Sequence, residues 1–281
     1  MSFNKEEFFI SQFSDTLIGD DGAVVFHKKG NWVYTTDSFF EDVHFKLSWM
    51  SLSEIASKAM LVNISDAIVM NAKPKYALLN VAIPSNFDKI SLKNLSDGFK
   101  KSADDFNIRI IGGDTISNDK LQISITLISK TKNPIYRHGL KIGDILYYTG
   151  DIGTVKKDLN KLLQNKAIPK DSKFIKPILK QKFFRKISKY VSSAIDISDG
   201  VAFELERLSK INGVGFRFIT KFTDDMLCSG EEYEILFAIN PAYQEKVQQI
   251  ANSLNVKLNF CAIAVDGEFR HNCQEHHFKA V

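Results

Sequence analysis

Cysteine, proline and tryptophan are scarce in this sequence, at 3, 6 and 2 residues of 281. The three cysteines (Cys228, Cys261, Cys273) are an odd number, lie far apart and form no Cys-x-x-Cys pair. The expectation is therefore neither a disulfide framework nor a structural zinc site. Few Gly (15) and Pro, with 11% aromatic residues, exclude collagen and low-complexity disorder. No apolar run approaches the roughly 18–20 residues that span a bilayer. The start, Met1-Ser-Phe-Asn-Lys-Glu-Glu7, carries acids where a signal peptide carries basic residues. Both absences predict a cytoplasmic protein with no membrane partner. Familiar site motifs are missing too. No Gly is followed by Lys, which excludes a Walker-type phosphate loop. Gly213-Val-Gly215 lacks the third glycine of a dinucleotide fingerprint and precedes a strand pattern. Neither His-Glu-x-x-His nor Gly-x-Ser-x-Gly occurs. The six histidines show no ligand spacing except His276-His277, whose side chains would point apart in a strand.

What is present is a globular balance: 44% hydrophobic, 25% charged, and 37 Lys+Arg against 33 Asp+Glu for a net +4. That sum hides two unlike parts. Twelve Lys/Arg and two acids fall between Val155 and Lys189, a local +10 that leaves the rest of the chain acidic. Lysines on helices are usually a solvated face, and no aromatic-rich nucleic-acid motif accompanies them, so nucleic acid is not the expected partner.

The first half alternates strand and helix patterns. Ala23–Phe26 and Trp32–Thr36 read as strands. Ser51-Leu-Ser-Glu54 is a capping box opening a helix with Ile55, Ala59, Val62 and Ala67 at helical spacing. Tyr76–Ile83 is an apolar strand, Leu92–Phe106 a polar helix, Ile108–Ile111 a strand, and Leu121–Leu127 a cleanly alternating strand. This order suggests a split βαβ arrangement. A boundary is expected near Lys141–Asp144, giving an N-terminal domain over 1–142 and a C-terminal α/β domain over 143–281. The second half reads as strand Ile145–Thr149, two lysine-rich helices, strand Ala194–Asp196, helix Val201–Ile211, strands Val214–Ile219 and Glu234–Ile239, helix Tyr243–Leu254, and strand Val256–Ala264.

The chemistry lies in the carboxylates. Asp recurs beside Gly, Thr or Ser in Gly19-Asp20-Asp21-Gly22, Thr35-Thr36-Asp37, Gly112-Gly113-Asp114-Thr115 and Asp196-Ile-Ser198-Asp199-Gly200. Taken singly, each reads most simply as a turn or a helix cap. Asp66 resists that reading. It falls inside the helix Ala59–Met70 with apolar neighbours on both sides, where an unpaired carboxylate costs several kcal/mol. Such an acid needs a cation or a hydrogen-bond network. Hard oxygen ligands with Thr hydroxyls beside them suit Mg2+, commonly shared with phosphate oxygens in phosphoryl transfer.

In order along the chain stand Asp20-Asp21, Thr35-Thr36-Asp37 with His44-Phe45, Val62-Asn-Ile-Ser-Asp66 followed by Met70-x-Ala72-Lys-Pro74, Gly112-Gly113-Asp114-Thr115, Asp196-Ile-Ser-Asp199-Gly200 and Ser229-Gly230-Glu231-Glu232-Tyr233-Glu234. Six motifs in this order and spacing resemble the thiamine-monophosphate kinases, within the aminoimidazole-ribonucleotide synthetase-like ATP-binding superfamily. The resemblance implies an α/β (α+β) two-domain fold whose N-terminal domain forms a barrel with a second subunit, and hence a homodimer. It implies ATP-dependent phosphorylation of thiamine monophosphate with several Mg2+ ions. Carried over by motif, Asp21, Thr35, Thr36, Asp37, Asp66, Asp114, Asp196 and Asp199 would be metal ligands. Gly113, Asp114, Arg137 and Ser198 would serve ATP, and His44 and Glu231 the thiamine phosphate. The chain departs from the family at Lys176-Pro177-Ile178-Leu179-Lys180, where Arg-Pro-x-Pro-Arg is expected, at Glu232, where Asp is usual, and at Gln274-Glu275-His276, where Gly-aromatic-Asp is usual. A reactive N-terminal cysteine and a C-terminal cysteine motif, marks of other superfamily chemistries, are missing. Without the resemblance, His44 reads equally as a packed or surface histidine, Arg137 as a loop arginine and Glu231-Glu232 as a solvated loop.

Overall fold

The computed structural model describes residues 5–13, 15–28 and 30–274. Glu275, His276 and His277, singled out in the sequence, lie outside the described residues. The elements in order are α1 (Lys5–Ser11), β1 (Ala23–Val25), β2 (Asn31–Phe40), α2 (Leu52–Val69), β3 (Lys73–Pro84), α3 (Lys89–Phe106), β4 (Arg109–Asn118) and β5 (Gln122–Thr131). There follow β6 (Ile145–Thr149), α4 (Thr154–Leu163), α5 (Gln181–Ile187), β7 (Val191–Asp196), α6 (Val201–Asn212), β8 (Gly215–Phe218), α7 (Asp224–Leu227), β9 (Ile235–Ile239), α8 (Gln244–Ser253) and β10 (Leu258–Val265).

The first sheet has the order β1-β2-β5-β3-β4. Strands β2 and β3, joined by α2, are both antiparallel to β5, which lies between them. That is the split βαβ expected from the pattern. Strand β5 shows the cleanest period of two: Ile123, Ile125 and Leu127 are buried against the helices, while Gln122, Ser124 and Thr126 face the other way. Edge strand β4 is exposed along nearly its whole length, including Ile110, Ile111 and Ile116. The second sheet has the order β7-β9-β6-β10-β8 and is covered on both faces. Ile145, Tyr147, Phe237 and Ile239 join the large core shared with the first sheet, whereas Leu146, Tyr148, Leu236 and Ala238 pack with α6 in a second core.

Helix α2 begins at the expected capping box: the Ser51 hydroxyl accepts from Glu54 N–H, and the Glu54 carboxylate accepts from Ser51 N–H at 2.8 Å. It is buried almost all round, touching β2, β3, β5, α3, α5 and β7, as a helix apolar on every side must be. Gly98 lets α3 approach it, since a Cβ there would stand 2.1 Å from the Ser53 carbonyl. At Gly150, φ is +63° and a Cβ would meet the Glu234 carboxylate at 2.1 Å, so only glycine fits.

One sequence expectation is corrected. Cys228 and Cys273 form a disulfide, their Cα atoms 5.6 Å apart across a separation of 45 residues. Spacing along the chain did not exclude the pair, because the fold returns the tail to the loop before β9. Cys261 is the free cysteine; burial in β10 pushes its thiol up to about 12. Among the described residues, no helix is long and apolar enough to cross a membrane.

Candidate active site

The acids singled out in the sequence meet where the two sheets face each other across α2. Asp21 comes from the loop before β1, Asp66 from α2 and Asp196 from the end of β7. One carboxylate oxygen from each lies within 4.8 Å of the others. Asp37, on the helix-facing side of β2, is close enough to act electrostatically on both Asp66 and Asp196. Burial first, and then the neighbouring carboxylates, hold Asp66 and Asp196 well above the usual carboxylate range. The Ser65 hydroxyl donates to Asp196 at 2.7 Å and offsets part of this.

The orphaned oxygens test whether a cation fits. Asp21 Oδ2 and Thr35 Oγ1 are buried without a hydrogen-bond partner. Unsatisfied oxygens beside converging carboxylates are costly unless a cation takes them up. The set is all oxygen, which favours a hard divalent ion such as Mg2+ over zinc.

Arg137 is no loose surface arginine. Its guanidinium donates to Asp21 Oδ1 at 2.5 Å, and its backbone N–H donates to Asp20 at 2.6 Å. Asp199 is held by Arg207 at 2.6 Å, and its N–H donates to Glu204. Glu204, missed in the sequence, is fully buried; burial above all pushes it up to about 7, against the pull of Arg207 and Arg137. Ser198 accepts through its carbonyl from Glu231 N–H at 2.6 Å, which ties the Asp196–Gly200 loop to the Ser229–Glu234 loop. Two other expected ligands lie elsewhere. Thr36 faces the open side of the first sheet and shares a hydrogen bond with Thr126 at 3.1 Å. Asp114 is on the same open side, across from Asn80, whose side chain accepts from Asp114 N–H. The structure therefore joins Asp21, Asp37, Asp66 and Asp196, sets Thr35 on the same face of β2 as Asp37 and against Gly22, and does not bring Thr36, Gly113 or Asp114 to them.

The acidic loop before β9 is not solvated. Glu232 and Glu234 are buried, and Lys173 bridges them at 2.8 and 3.0 Å. Glu231 and Tyr233 both adopt left-handed backbone, φ +56° and +49°, a conformation uncommon outside glycine that clusters at functional sites. The Glu231 carboxylate receives a hydrogen bond at 2.6 Å from Lys58, a fully buried lysine of α2. Lys58 Nζ also lies 4.2 Å from the Phe174 ring centre and 5.5 Å from that of Phe39. His44 packs on the same Phe39 at 5.3 Å, its Nδ1 accepting from Phe40 N–H. His44 and Glu231 are thus linked through Phe39 and Lys58, one end of α2 away from the acids.

An α/β chain with a split βαβ sheet, a second sheet and an oxygen-only acid cluster between them has the form of an AIR synthase-like protein. Residues 19–131 match the family described as AIR synthase related protein, N-terminal domain. The chain is 31% identical over 270 residues to the thiamine-monophosphate kinase of Buchnera aphidicola subsp. Schizaphis graminum, covering 87% of this chain and 82% of that one. It is 29% identical over 271 residues to that of Bacillus subtilis, covering 87% and 83%. The chain belongs to the thiamine-monophosphate kinase family. In fold it resembles AaThiL complexed with AMPPCP and TMP, with a TM-score of 0.84, 22% identity, and coverage of 96% of this chain and 95% of that one.

Proposed function

We propose that this chain transfers the γ-phosphoryl group of ATP to thiamine monophosphate, giving thiamine diphosphate and ADP. The observation that carries the reading is the convergence of Asp21, Asp66 and Asp196, with Asp21 Oδ2 buried and lacking a hydrogen-bond partner, in a chain of this family. A phosphate oxygen of the acceptor attacks the γ-phosphorus as the bond to the β,γ-bridging oxygen breaks. A phosphate monoester has a second pKa near ~6 and is mostly dianionic at neutral pH, so no strong general base is required and none is assigned. The difficulty is to bring two polyanions together, and divalent ions supply that charge neutralisation. Asp21, Asp37, Asp66 and Asp196, with Thr35, would hold Mg2+. Arg137 and Ser198 would orient ATP, and Arg207 keeps Asp199 turned toward α6.

The chain would divide by sheet into an N-terminal part over 1–142 and a C-terminal part over 143–281, which share one core. The exposed edge strand β4, with its isoleucines, would pair with a second copy. In that homodimer Thr36, Gly113 and Asp114 would face the joint between subunits. The enzyme would work in the cytoplasm. ADP release with ATP, Mg2+ and thiamine monophosphate, set against thiamine and formylglycinamidine ribonucleotide, tests the function. Release with thiamine monophosphate alone is expected; equal release with each acceptor, or none, would overturn it.

A further inference from the structure

A lysine with no exposed surface is rare, because a buried ammonium must be paired. Lys58 meets that requirement with one carboxylate, Glu231, and two aromatic faces, Phe174 and Phe39. The pair crosses between the two sheets: Lys58 sits on α2, while Glu231 belongs to the loop entering β9. Glu231 is also held by its backbone, in a left-handed conformation and bonded to the Ser198 carbonyl. Its carboxylate has two oxygens, and Lys58 engages Oε2. The side chain retains about a fifth of its surface, so it still presents charge outward while Lys58 fixes its direction from behind.

Helix α2 also carries Asp66, eight residues further on. At ~1.5 Å per residue the two positions are about 12 Å apart along the helix. Lys58 and Asp66 lie within about 80° of each other around the axis, and so point broadly the same way. One rigid element therefore carries both the partner of Glu231 and a member of the acid cluster, while the Ser198 carbonyl ties Glu231 to the loop that follows Asp196. An acceptor with a cationic, nitrogen-rich ring system at one end and a phosphate at the other would offer a partner to each: a cation for the Glu231 carboxylate and a phosphate for the ion site.

We infer that Lys58 is a positioning residue for the acceptor: from α2, which also carries Asp66, it holds the Glu231 carboxylate toward the acceptor's cationic ring end. This rests on the proposed kinase reading, and it adds a residue that touches neither ATP nor the ion cluster. Because Lys58 would act only through Glu231, its effect should vanish when Glu231 is already neutral.

The test compares wild type, Lys58→Met, Glu231→Gln, and the double variant Lys58→Gln/Glu231→Gln by steady-state kinetics with thiamine monophosphate and with ATP varied in turn. Lys58→Met is expected to raise the KM for thiamine monophosphate at least tenfold, with kcat and the KM for ATP within about threefold of wild type. The double variant should match Glu231→Gln in acceptor KM. An unchanged acceptor KM in Lys58→Met would overturn the inference. So would an acceptor KM in the double variant well above that of Glu231→Gln, or a loss confined to kcat and ATP. The double variant removes both charges of the Lys58–Glu231 pair, so the comparison stands even where Lys58→Met does not fold. Wild-type turnover separates the two claims: without ADP release on thiamine monophosphate the kinase reading fails, whereas with turnover intact and variant KM values unmoved only the Lys58 inference fails.

Discussion

Replacing Asp66 by Asn should make the protein more stable and the enzyme inactive, and the sign of the first effect is the informative part. In the absence of an ion, Asp66 shares a partly buried site with Asp21 and Asp196, whose oxygens lie within 4.8 Å. Two ionised carboxylates at that separation repel by about 3.5 kcal/mol at an effective dielectric of ~20. Protonation relieves part of this, because burial and the neighbouring acids raise the Asp66 and Asp196 carboxyls. A net gain of about 1–3 kcal/mol is left for Asp66→Asn, or roughly 2–4 °C in melting temperature per kcal/mol. The assay is thermal unfolding in EDTA and in Mg2+, across pH 5 to 8. With the folded-state values raised, folding takes up protons as the pH falls from neutral toward the unfolded value near 3.8. Metal-free wild type should therefore gain stability on acidification. Mg2+ must displace those protons, so its stabilising effect should shrink at low pH. In Asp66→Asn both the acid gain and the Mg2+ gain should be largely lost, along with turnover. A destabilised variant that keeps its Mg2+ response would refute the reasoning, since the cluster would then be a hydrogen-bonded packing motif.

Further outcomes follow from the same contacts. Lys173→Met leaves Glu232 buried without its cation and Glu234 with Lys180 at 3.9 Å, and should cost about 3–5 kcal/mol in urea unfolding. Gly150→Ala drives a methyl into the Glu234 carboxylate at a positive φ; the expected loss is about 2–4 kcal/mol by the same assay. Cys228→Ser opens a loop with a separation of 45 residues. It should lower stability by about 2–4 kcal/mol under oxidising conditions, and by nothing once the wild type is reduced.

Much of this was legible in the sequence, for identifiable physical reasons. Asp66 stood out because an acid in an apolar helix is costly, and the structure places it among other acids. The split βαβ order followed from strand and helix periods, and β5 from strict alternation. The same alternation separates Thr35 and Asp37 from Thr36, since neighbours on a strand face opposite sides; read that way, Thr36 would not have been grouped with them. Lys58 was missed although it gave the signal that picked out Asp66, a charge between Ala56 and Met60 in an apolar run. Glu204 and Lys173 gave no such signal, because each lies in an amphipathic or polar stretch and its burial comes from distant segments folding over it. The Cys228–Cys273 bond was invisible for the same reason.

Helix α2 has almost no outer surface. Its residues are covered by the first sheet and α3 on one side and by β7 and α5 on the other. Although strands divide the chain into two sheets, apolar burial does not divide with them: Phe39, Ile64 and Ile125 share one core with Phe174, Phe183 and Phe237. Cutting the chain near residue 142 would leave one piece with a bare flank of α2 and the other with unmatched phenylalanines. The two halves should therefore melt in a single cooperative transition, and neither should persist as an autonomous folding unit.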